Sequence, residues 1–460
     1  DPLKAKDIFR CYRQFTGESL ALCGKYCFVE GTAVATRQCS VPIEKLAGKQ
    51  AEVLSWDDKS EGLIFSNQTK FFDNGVHECI ELTLEDGRTI SCTPDHKFMT
   101  SKGWIEAKYL QGKRVVCGIN PPIRDVEKEF SLYRGWSMPN LEDVFSVKTM
   151  HDYERILAFS RILGYVITDG TLTKDRADVY IGHKLDVADI VNDIRILDAE
   201  PNTTRFDGTT YRITLPRVIS KLFYRVKGLY IGRRMTGGSR IPDFLMNDDC
   251  PLSVIKEFLR GLFGGDGSAP AYSKGDDKFQ SITFVQTKSR DNIIGLNIFM
   301  LDVQYLLTKF GVSSTLQEPR KIKSSRGELN YAIYLRVSSK DILAFERELG
   351  FAYCCHKNQR LAAAASFYRQ VNINKSEGKK YMYAKEYLRS IGAEAYFYSD
   401  DGEKHSRAYA VNSSAEMLPT FNLKVIEIKN IGKHKVYDIE VDNTHSFVAN
   451  GMVVDRKSVV

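Results

Sequence analysis

The segment 258–267, FLRGLFGGDG, constrains the fold more than any other part of the chain. Apolar residues at helical spacing and a final glycine predict a helix that ends at Asp266. Gly261 and Gly265 are four residues apart, so they share one face of that helix. Because each glycine in a helix interior costs roughly 1 kcal/mol relative to alanine, we expect another helix to pack closely against this face.

A second copy of the pattern lies 97 residues earlier, at 161–170 (RILGYVITDG), with Gly164 on the packing face and Asp169 at the carboxyl end. Asp169 and Asp266 both stand where the helix macrodipole is already negative, a placement that a bound cation would explain. Two such helices packed side by side would bring the carboxylates together, as two-metal phosphodiester chemistry requires. One copy alone would indicate a glycine-capped core helix, but two copies inside a longer repeat favour a metal site.

The elements that follow each copy also repeat. Segments 179–197 and 211–215 follow the first copy, and 282–312 and 331–335 follow the second, so each half predicts helix, strand pair, helix, strand pair, helix. Together with RIPDFL at 240–245, these features make 152–360 resemble the single-chain LAGLIDADG homing endonucleases, with repeats of about 152–240 and 241–360. The resemblance implies a double-strand cut at a long specific DNA site, with Mg²⁺ (or Mn²⁺) held by Asp169 and Asp266.

A basic stretch lies between the two copies. Residues 221–240 include six basic side chains and no acidic one, with Tyr224 and Tyr230 interleaved. Such a run is usually a solvated face, but beside two carboxylates it favours contact with the DNA backbone. The predicted contacts are Lys221, Arg225, Lys227, Arg233, Arg234 and Arg240, with Lys321 from the second half. The resemblance also implies a lysine near each metal site: Lys323 is our prediction for the second half, and the first half offers only Arg205 or Arg212.

Short β-rich blocks flank the repeat. CFVEGT at 27–32, a hairpin across 85–87, SCTPDHKF at 91–98 and a block at 103–118 precede it, and strand-like runs at 423–454 follow it. These blocks resemble the two halves of the Hint fold of inteins and hedgehog autoprocessing domains. We therefore predict an α+β, multidomain chain, in which an all-β Hint domain (27–118 and 421–456) is interrupted by a pseudo-twofold αββαββα endonuclease. Residues 119–151 are predicted as a linker, and 361–420 as an accessory or linker lobe with a possible DNA contact.

The Hint-like blocks place a cysteine where self-processing chemistry would begin. Cys27 would attack the carbonyl of Tyr26 in an N-to-S acyl shift that yields a thioester. Because an amide is a poor acyl donor, the bond needs hydrogen-bond donors and a proton source. For these roles the resemblance implies His96 on the amide nitrogen, Thr93 at the oxyanion, Asp438 near the nucleophile and His445 in the last steps.

The resemblance breaks after Val454. Inteins usually end NGxVVHN before Cys, Ser or Thr, whereas Asp455, Arg456 and Lys457 stand at these positions here. Arginine cannot cyclise as asparagine does, and lysine has no hydroxyl or thiol to accept an acyl group. We predict that the carboxyl-terminal steps are blocked, while thioester formation or hydrolysis after Tyr26 remains open. Residues 1–26 and 457–460 are then flanking host (extein) sequence, the partner in cis.

The composition is compatible with a Hint domain that contains a DNA endonuclease, but it does not by itself imply one. At 460 residues two or more domains are expected, and the net charge of +7 permits binding to nucleic acid. Ten cysteines without CxxC spacing indicate neither a zinc module nor a disulfide framework. We expect an intracellular monomer that does not enter a membrane. The alternative function is a decayed, DNA-binding intein limited to thioester formation or cleavage at Tyr26–Cys27.

Overall fold

The computed structural model describes residues 26–455 except for short gaps at 175, 209, 233–236, 239, 274–277, 324–326, 328, 380–381, 395–396, 398–417 and 419. The chain divides into two compact units. The first comprises 1–124, 369–380 and 417–460, and the second comprises 125–368 and 381–416. Among the helices described, none is both long enough and apolar enough to cross a membrane.

The regular elements alternate along the chain, which confirms the predicted mixture of helices and strands. The strands are β1 Phe28–Val29, β2 Ala33–Ala35, β3 Ser40–Pro42, β4 Glu52–Asp57, β5 Gly62–Leu84, β6 Thr89–Cys92, β7 Lys97–Thr100, β8 Gly103–Glu106, β9 Arg114–Cys117, β10 Gly170–Thr173, β11 Arg176–Ile181, β12 Thr203–Phe206, β13 Tyr211–Thr214, β14 Ala271–Ser273, β15 Lys278–Gln280, β16 Thr283–Ser289, β17 Ser314–Leu316, β18 Arg320–Lys323, β19 Leu329–Val337, β20 Phe421–Val441, β21 Ser446–Ala449 and β22 Met452–Asp455. The α-helices are α1 Val126–Tyr133, α2 Met150–Asp169, α3 Lys184–Ile196, α4 Arg217–Phe223, α5 Leu252–Asp266, α6 Ile293–Thr308, α7 Ile342–Glu348, α8 Cys355–Ser376 and α9 Ala384–Ser390.

The first unit is built on a large antiparallel sheet with strand order β3-β2-β21-β22-β9-β20-β1-β6-β5-β4, to which β7 and β8 attach. Its centre is the long pairing of β5 with β20, which is interrupted by register shifts such as the one at Gly432, where φ is +78°. The predicted turn at 85–87 joins β5 to β6, and Gly87 there adopts a φ of +82°. Strand β1 lies between β20 and β6, so the residues just after Tyr26 are held inside the sheet.

The second unit is organised around the close packing of α2 on α5. A Cβ atom on Gly164 would lie 2.1 Å from the carbonyl oxygen of Phe258, and one on Gly261 would lie 2.0 Å from that of Arg161. No larger residue fits either position without moving a backbone. The predicted role of these glycines in helix contact is confirmed.

Two small sheets accompany the helix pair. The first half supplies the order β10-β11-β13-β12, and the second supplies β16-β19-β17 with β18 paired to β19. Each half thus begins with a long helix that is followed by strands, a helix and more strands. The halves differ, because the second also contains the separate β14–β15 hairpin.

Two stretches differ from the sequence-based expectation. Residues 125–151, within the predicted linker, form α1 and contribute buried side chains to the core of the second unit, so they are part of a folded unit; these side chains are Met138, Leu141, Phe145 and Val147. Proline and charge dominated the sequence pattern there, and Pro139 follows Met138 directly, so the spacing of Met138, Leu141 and Phe145 did not signal a helix. Residues 361–420 were predicted as one accessory or linker lobe, but they divide between the two units, with α8 partly in each and α9 in the second; residues 398–417 lie outside the described part of the chain.

Buried charges connect the helices of the second unit. Arg161 on α2 contacts Glu257 on α5 at 2.5 Å and Asp193 on α3 at 2.5 Å, and all three side chains are almost fully buried. Arg260 adds a 2.9 Å contact to Glu257, and the hydroxyl of Tyr353 donates to Asp193. The network fixes the positions of three helices, because any one of these charges would be costly without its partners.

Candidate functional site

The bond between Tyr26 and Cys27 is held by Thr93. The backbone N–H of Cys27 donates to Thr93 Oγ1 at 3.1 Å, and the N–H of Thr93 donates to the carbonyl of Cys27 at 2.9 Å. Cys27 itself is fully buried. The amide between Tyr26 and Cys27 is therefore fixed in one orientation beside a hydroxyl group.

Asn74 contacts the sulfur of Cys27 and was missed by sequence reasoning. Its side-chain Nδ2 donates to Cys27 Sγ at 3.1 Å. In sequence, Asn74-Gly75 carries the signal of a turn, and only the long β5 strand brings the amide to the cysteine. A donor at this place favours the thiolate, which is the nucleophilic form.

The strand register places Asp438 opposite Cys27. Phe28 pairs with Tyr437 and Val29 with Val436, so the antiparallel register continues to Cys27 and Asp438. Asp438 is 3% exposed, and its Oδ1 accepts the backbone N–H of Ile439 at 2.8 Å. We predicted Asp438 as a carboxylate near Cys27, and its part in any chemistry there stays a prediction.

The two predicted histidines lie in contrasting environments. The His96 ring is fully buried against Phe28, with ring centroids 4.0 Å apart, and neither ring nitrogen has a hydrogen-bond partner among the described residues. Burial lowers the pKa of His96 to about 3, with a smaller opposing effect from the backbone of Asp455. Thr93, rather than His96, makes the hydrogen bond to the backbone nitrogen of Cys27.

His445 lies in the turn before β21. It is exposed and has a φ of +48°, and the next residue, Ser446, pairs with Asp455 across β21 and β22. The register thus carries His445 toward the carboxyl-terminal junction. Arg456 and Lys457, which we predict to block that junction, lie outside the described residues.

The helix pair brings the ends of α2 and α5 together. A Cβ atom on Gly265 would lie 3.3 Å from the backbone nitrogen of Asp169, and Asp266 follows directly. The pKa of Tyr165 is raised well above its usual value, first by burial and then by nearby charges that include both Asp169 and Asp266. Gln286 on β16 donates a hydrogen bond to Asp266 Oδ2 and orients that carboxylate.

A cavity opens beside this pair of helix ends. Its lining includes Gly170, Tyr230, Arg240, Gln286 and Lys288. Gln286 and Lys288 are two positions apart along β16, so both point to the same face of the sheet.

Lys288 is therefore a second lysine candidate, which sequence reasoning missed. It is 5% exposed, whereas the predicted Lys323 is exposed on β18. The period-two pattern Phe284, Gln286, Lys288 is the signal that could have identified it.

The predicted DNA contacts divide into three groups. Lys221, Lys227, Arg240 and Lys321 are exposed. Arg225 is engaged within the protein, with its guanidinium 3.0 Å from Asp143 and 2.9 Å from the carbonyl of Asn140, so DNA would have to compete for it. Arg233 and Arg234 lie outside the described residues.

Several curated proteins resemble the chain. The tRNA-splicing ligase RtcB of Methanopyrus kandleri is 25% identical over 498 residues, which cover 94% of this chain and 49% of that protein. The replicative DNA helicase DnaB of Nostoc sp. is 23% identical, over 90% of this chain and 47% of that protein. The chain spans about half the length of these relatives.

Similarities to solved structures are weaker. The Ssp DnaB mini-intein variant M86 is 22% identical with a TM-score of 0.20, covering 20% of this chain and 64% of that one. The N-terminal LAGLIDADG domain of DUF199/WhiA is 16% identical with a TM-score of 0.27, covering 43% of this chain and 83% of that one. Neither score is high enough to establish a shared overall structure.

The family assignment rests on a match along most of the sequence. The intein splicing domain family matches residues 33–455 of the 460. This stretch includes Thr93, His96, Asp438 and His445, and Cys27 lies six residues before it. The chain belongs to the intein splicing domain family.

Proposed function

We propose that the chain is a self-processing intein that cleaves or activates the Tyr26–Cys27 bond and that contains an inserted, site-specific DNA endonuclease. The observation that carries the first part is the set of contacts around Cys27. Thr93 holds the amide nitrogen, Asn74 contacts the sulfur, and Asp438 lies opposite in the strand register.

The acyl shift follows from these contacts. The sulfur of Cys27 attacks the carbonyl carbon of Tyr26, a C–S bond forms, and the C–N bond to Cys27 breaks. In the net reaction, the proton of the Cys27 thiol moves to the amino group of Cys27 that the broken C–N bond releases. Asn74 stabilises the negative sulfur before attack, and Thr93 holds the amide nitrogen in a fixed orientation.

The amino-terminal step can be tested without DNA. We expect a thiol reagent such as dithiothreitol to cleave the purified chain after Tyr26, and Cys27→Ala to abolish this cleavage. Cys39→Ser removes another buried thiol of the same unit and should leave cleavage intact. Cleavage that persists in Cys27→Ala would contradict the assignment.

The endonuclease part is supported by the paired helix ends. Asp169 and Asp266 end two helices that are held in close contact by glycine, and Gln286 and the buried Lys288 lie on the adjacent strand. Carboxylate oxygens are ligands that Mg²⁺ prefers, and a negative charge at the negative end of each helix dipole favours a cation there. Bound Mg²⁺ would polarise the phosphodiester and lower the pKa of a water molecule.

The chain's own residues then have separate tasks. Asp169 and Asp266 would hold the metal, and Gln286 keeps the Asp266 carboxylate in place. Lys288 or Lys323 would stabilise the charge that develops on the phosphate oxygens. Lys221, Lys227, Arg240 and Lys321 supply exposed positive charge for the backbone of double-stranded DNA.

The nuclease is tested with a plasmid that contains the uninterrupted host gene across the insertion point, in the presence of Mg²⁺. We expect one defined double-strand cut, which the double variant Asp169→Asn, Asp266→Asn abolishes. Asp198→Asn, an exposed carboxylate of the same unit, is the matched control and should cut normally. Specific binding of that plasmid without any cut would instead favour the decayed, DNA-binding intein.

A further inference from the structure

A cluster of metal-ligating side chains lies within the second unit, and none of the chemistry above uses it. Asp186, in the first turn of α3, faces the segment that begins α8. Two overlapping sets of ligand atoms lie within 4.8 Å of one another: His183, Asp186 and Cys355 in one, and Asp186, Cys354 and His356 in the other. No CxxC spacing marks this cluster in the sequence, because its members come from segments about 170 residues apart.

The Asp186 carboxylate is buried beside a backbone amide and a thiol. It is 1% exposed, and its hydrogen bonds come from the backbone N–H of Cys355, at 2.8 Å, and from the Cys355 thiol. No lysine or arginine of the described chain forms an ion pair with it. A buried carboxylate is costly unless a positive charge accompanies it, and a metal ion would supply that charge.

The chemistry of the cluster selects the class of metal. Thiolate, imidazole and carboxylate together are ligands for Zn²⁺ and related transition-metal ions, whereas Mg²⁺ and Ca²⁺ prefer oxygen ligands only. Bond lengths near 2.0–2.3 Å place the ligand atoms of a tetrahedral Zn²⁺ site about 3.5 Å apart. Cys354 Sγ lies 3.5 Å from His356 Nδ1, which matches that spacing.

The geometry favours one of the two sets. Nδ1 of His183 already accepts the backbone N–H of Leu185 at 3.2 Å and caps α3, so a metal at that nitrogen would break the cap. The Cys355 thiol is already bonded to Asp186. Among the described residues, neither Cys354 nor His356 has a comparable hydrogen bond to the backbone of α3. His356 is partly exposed, which leaves a path for an ion to enter.

We propose that Asp186, Cys354 and His356 form a binding site for one Zn²⁺-class ion, with a fourth position open to water. The ion would join α3 of the first half to the start of α8, after the second half. The adjacent Lys357 donates to the carbonyls of Gly264 and Gly265 at 2.5 and 2.7 Å, at the end of α5. The site thus fixes a segment that also supports the helix bearing Asp266.

The proposal is tested on the full chain, purified without a histidine tag and kept reduced. We expect one equivalent of zinc by elemental mass spectrometry. After replacement with Co²⁺ we expect a thiolate-to-cobalt charge-transfer band. Cys354→Ser and His356→Gln should each weaken Co²⁺ affinity by more than about 100-fold, since the loss of outer-shell partners alone costs 10–100-fold.

Cys355→Ser is the matched control, because Cys354 and Cys355 are neighbours with the same 8% exposure. It should retain one equivalent of metal and the charge-transfer band. A chelator should lower the melting temperature of the wild type and of Cys355→Ser, but not that of Cys354→Ser.

Two outcomes would overturn the proposal. One is wild-type protein, folded by circular dichroism, that binds neither Zn²⁺ nor Co²⁺ stoichiometrically. The other is loss of binding in Cys355→Ser with binding retained in Cys354→Ser, which would move the ion to the His183 set. Neither readout depends on nuclease or splicing activity, so failure here is separate from failure of the proposed function.

Discussion

At the scale of single residues, the proposed acyl shift depends on contacts that surround one sulfur atom. Cys27 is fully buried, yet Asn74 reaches its sulfur from β5, and Thr93 reaches its amide from the segment after β6. A buried thiol is normally a poor nucleophile, because burial disfavours the thiolate. The amide of Asn74 offsets part of that penalty.

We predict that Asn74→Ala slows thiol-induced cleavage after Tyr26 by about tenfold, since a hydrogen bond to a charged group contributes about 1.5 kcal/mol. Initial rates with dithiothreitol measure the effect. Asn67→Ala, at an exposed position of the same strand, is the control and should cleave at the wild-type rate. An unchanged rate in Asn74→Ala would show that the amide does not assist the sulfur.

His96 makes stability depend on pH. Its pKa is lowered to about 3 by burial, below the ordinary 6.5, so the unfolded chain binds a proton that the folded chain does not. The free energy of unfolding therefore falls as pH drops below 6.5. At pH 5 the loss should approach about 2 kcal/mol, and His96→Phe, which suits the aromatic surroundings, should remove that part of the dependence.

The measurement is urea denaturation of the wild type and of His96→Phe at pH 7.5 and pH 5. Other titrating groups also change the stability of both proteins between pH 7.5 and pH 5. The informative quantity is therefore the difference between the pH dependences of the two proteins. Equal dependence in the two proteins would mean that His96 takes up a proton without unfolding.

At the scale of elements, helix α2 and helix α5 meet only because glycine occupies their contact. Gly261→Ala would place a methyl group 2.0 Å from the carbonyl oxygen of Arg161, inside the backbone of the other helix. We predict a loss of about 3 kcal/mol in the free energy of unfolding, measured by denaturant titration. Gly182→Ala meets no atom within 4 Å and should leave stability unchanged or slightly raised.

The buried ion network is the second determinant of this helix arrangement. Arg161→Met would leave Asp193 and Glu257 buried with less compensating charge, and we expect a loss of about 3–5 kcal/mol. Arg195→Met breaks the exposed pair with Glu200 and should cost less than about 1 kcal/mol. Comparable losses in the two variants would show that the buried network contributes no more than a surface pair.

At the scale of the whole molecule, self-processing at one end of the first unit is expected to proceed while the other end is blocked. The triple variant Asp455→His, Arg456→Asn, Lys457→Ser restores the residue types that asparagine cyclisation and acyl transfer need. We predict that it releases the intein and joins 1–26 to 457–460. Mass spectrometry of the products measures this, and the single variant Asp455→His should release nothing at that end.

Local features could be predicted from the sequence where the residue type at that position has a single physical role. Glycines four apart predicted helix contact, the final aspartates were located at the helix ends, and Cys27 with SCTPDHKF indicated self-processing. The glycines and aspartates depend on spacing within a single helix, whereas self-processing was implied by the resemblance of CFVEGT and SCTPDHKF to Hint blocks.

Only the tertiary structure decided which distant side chains meet. Asn74 reaches Cys27 through the register of β5, and Lys288 lies on the same face of β16 as Gln286. Asp186 meets Cys354 and His356, which are about 170 residues away in the sequence. The sequence determined the elements and the cysteine at which we propose that processing begins, since periodicity and residue chemistry are local. The sheet registers and helix contacts determined the sites, because they depend on how separate elements pack in space.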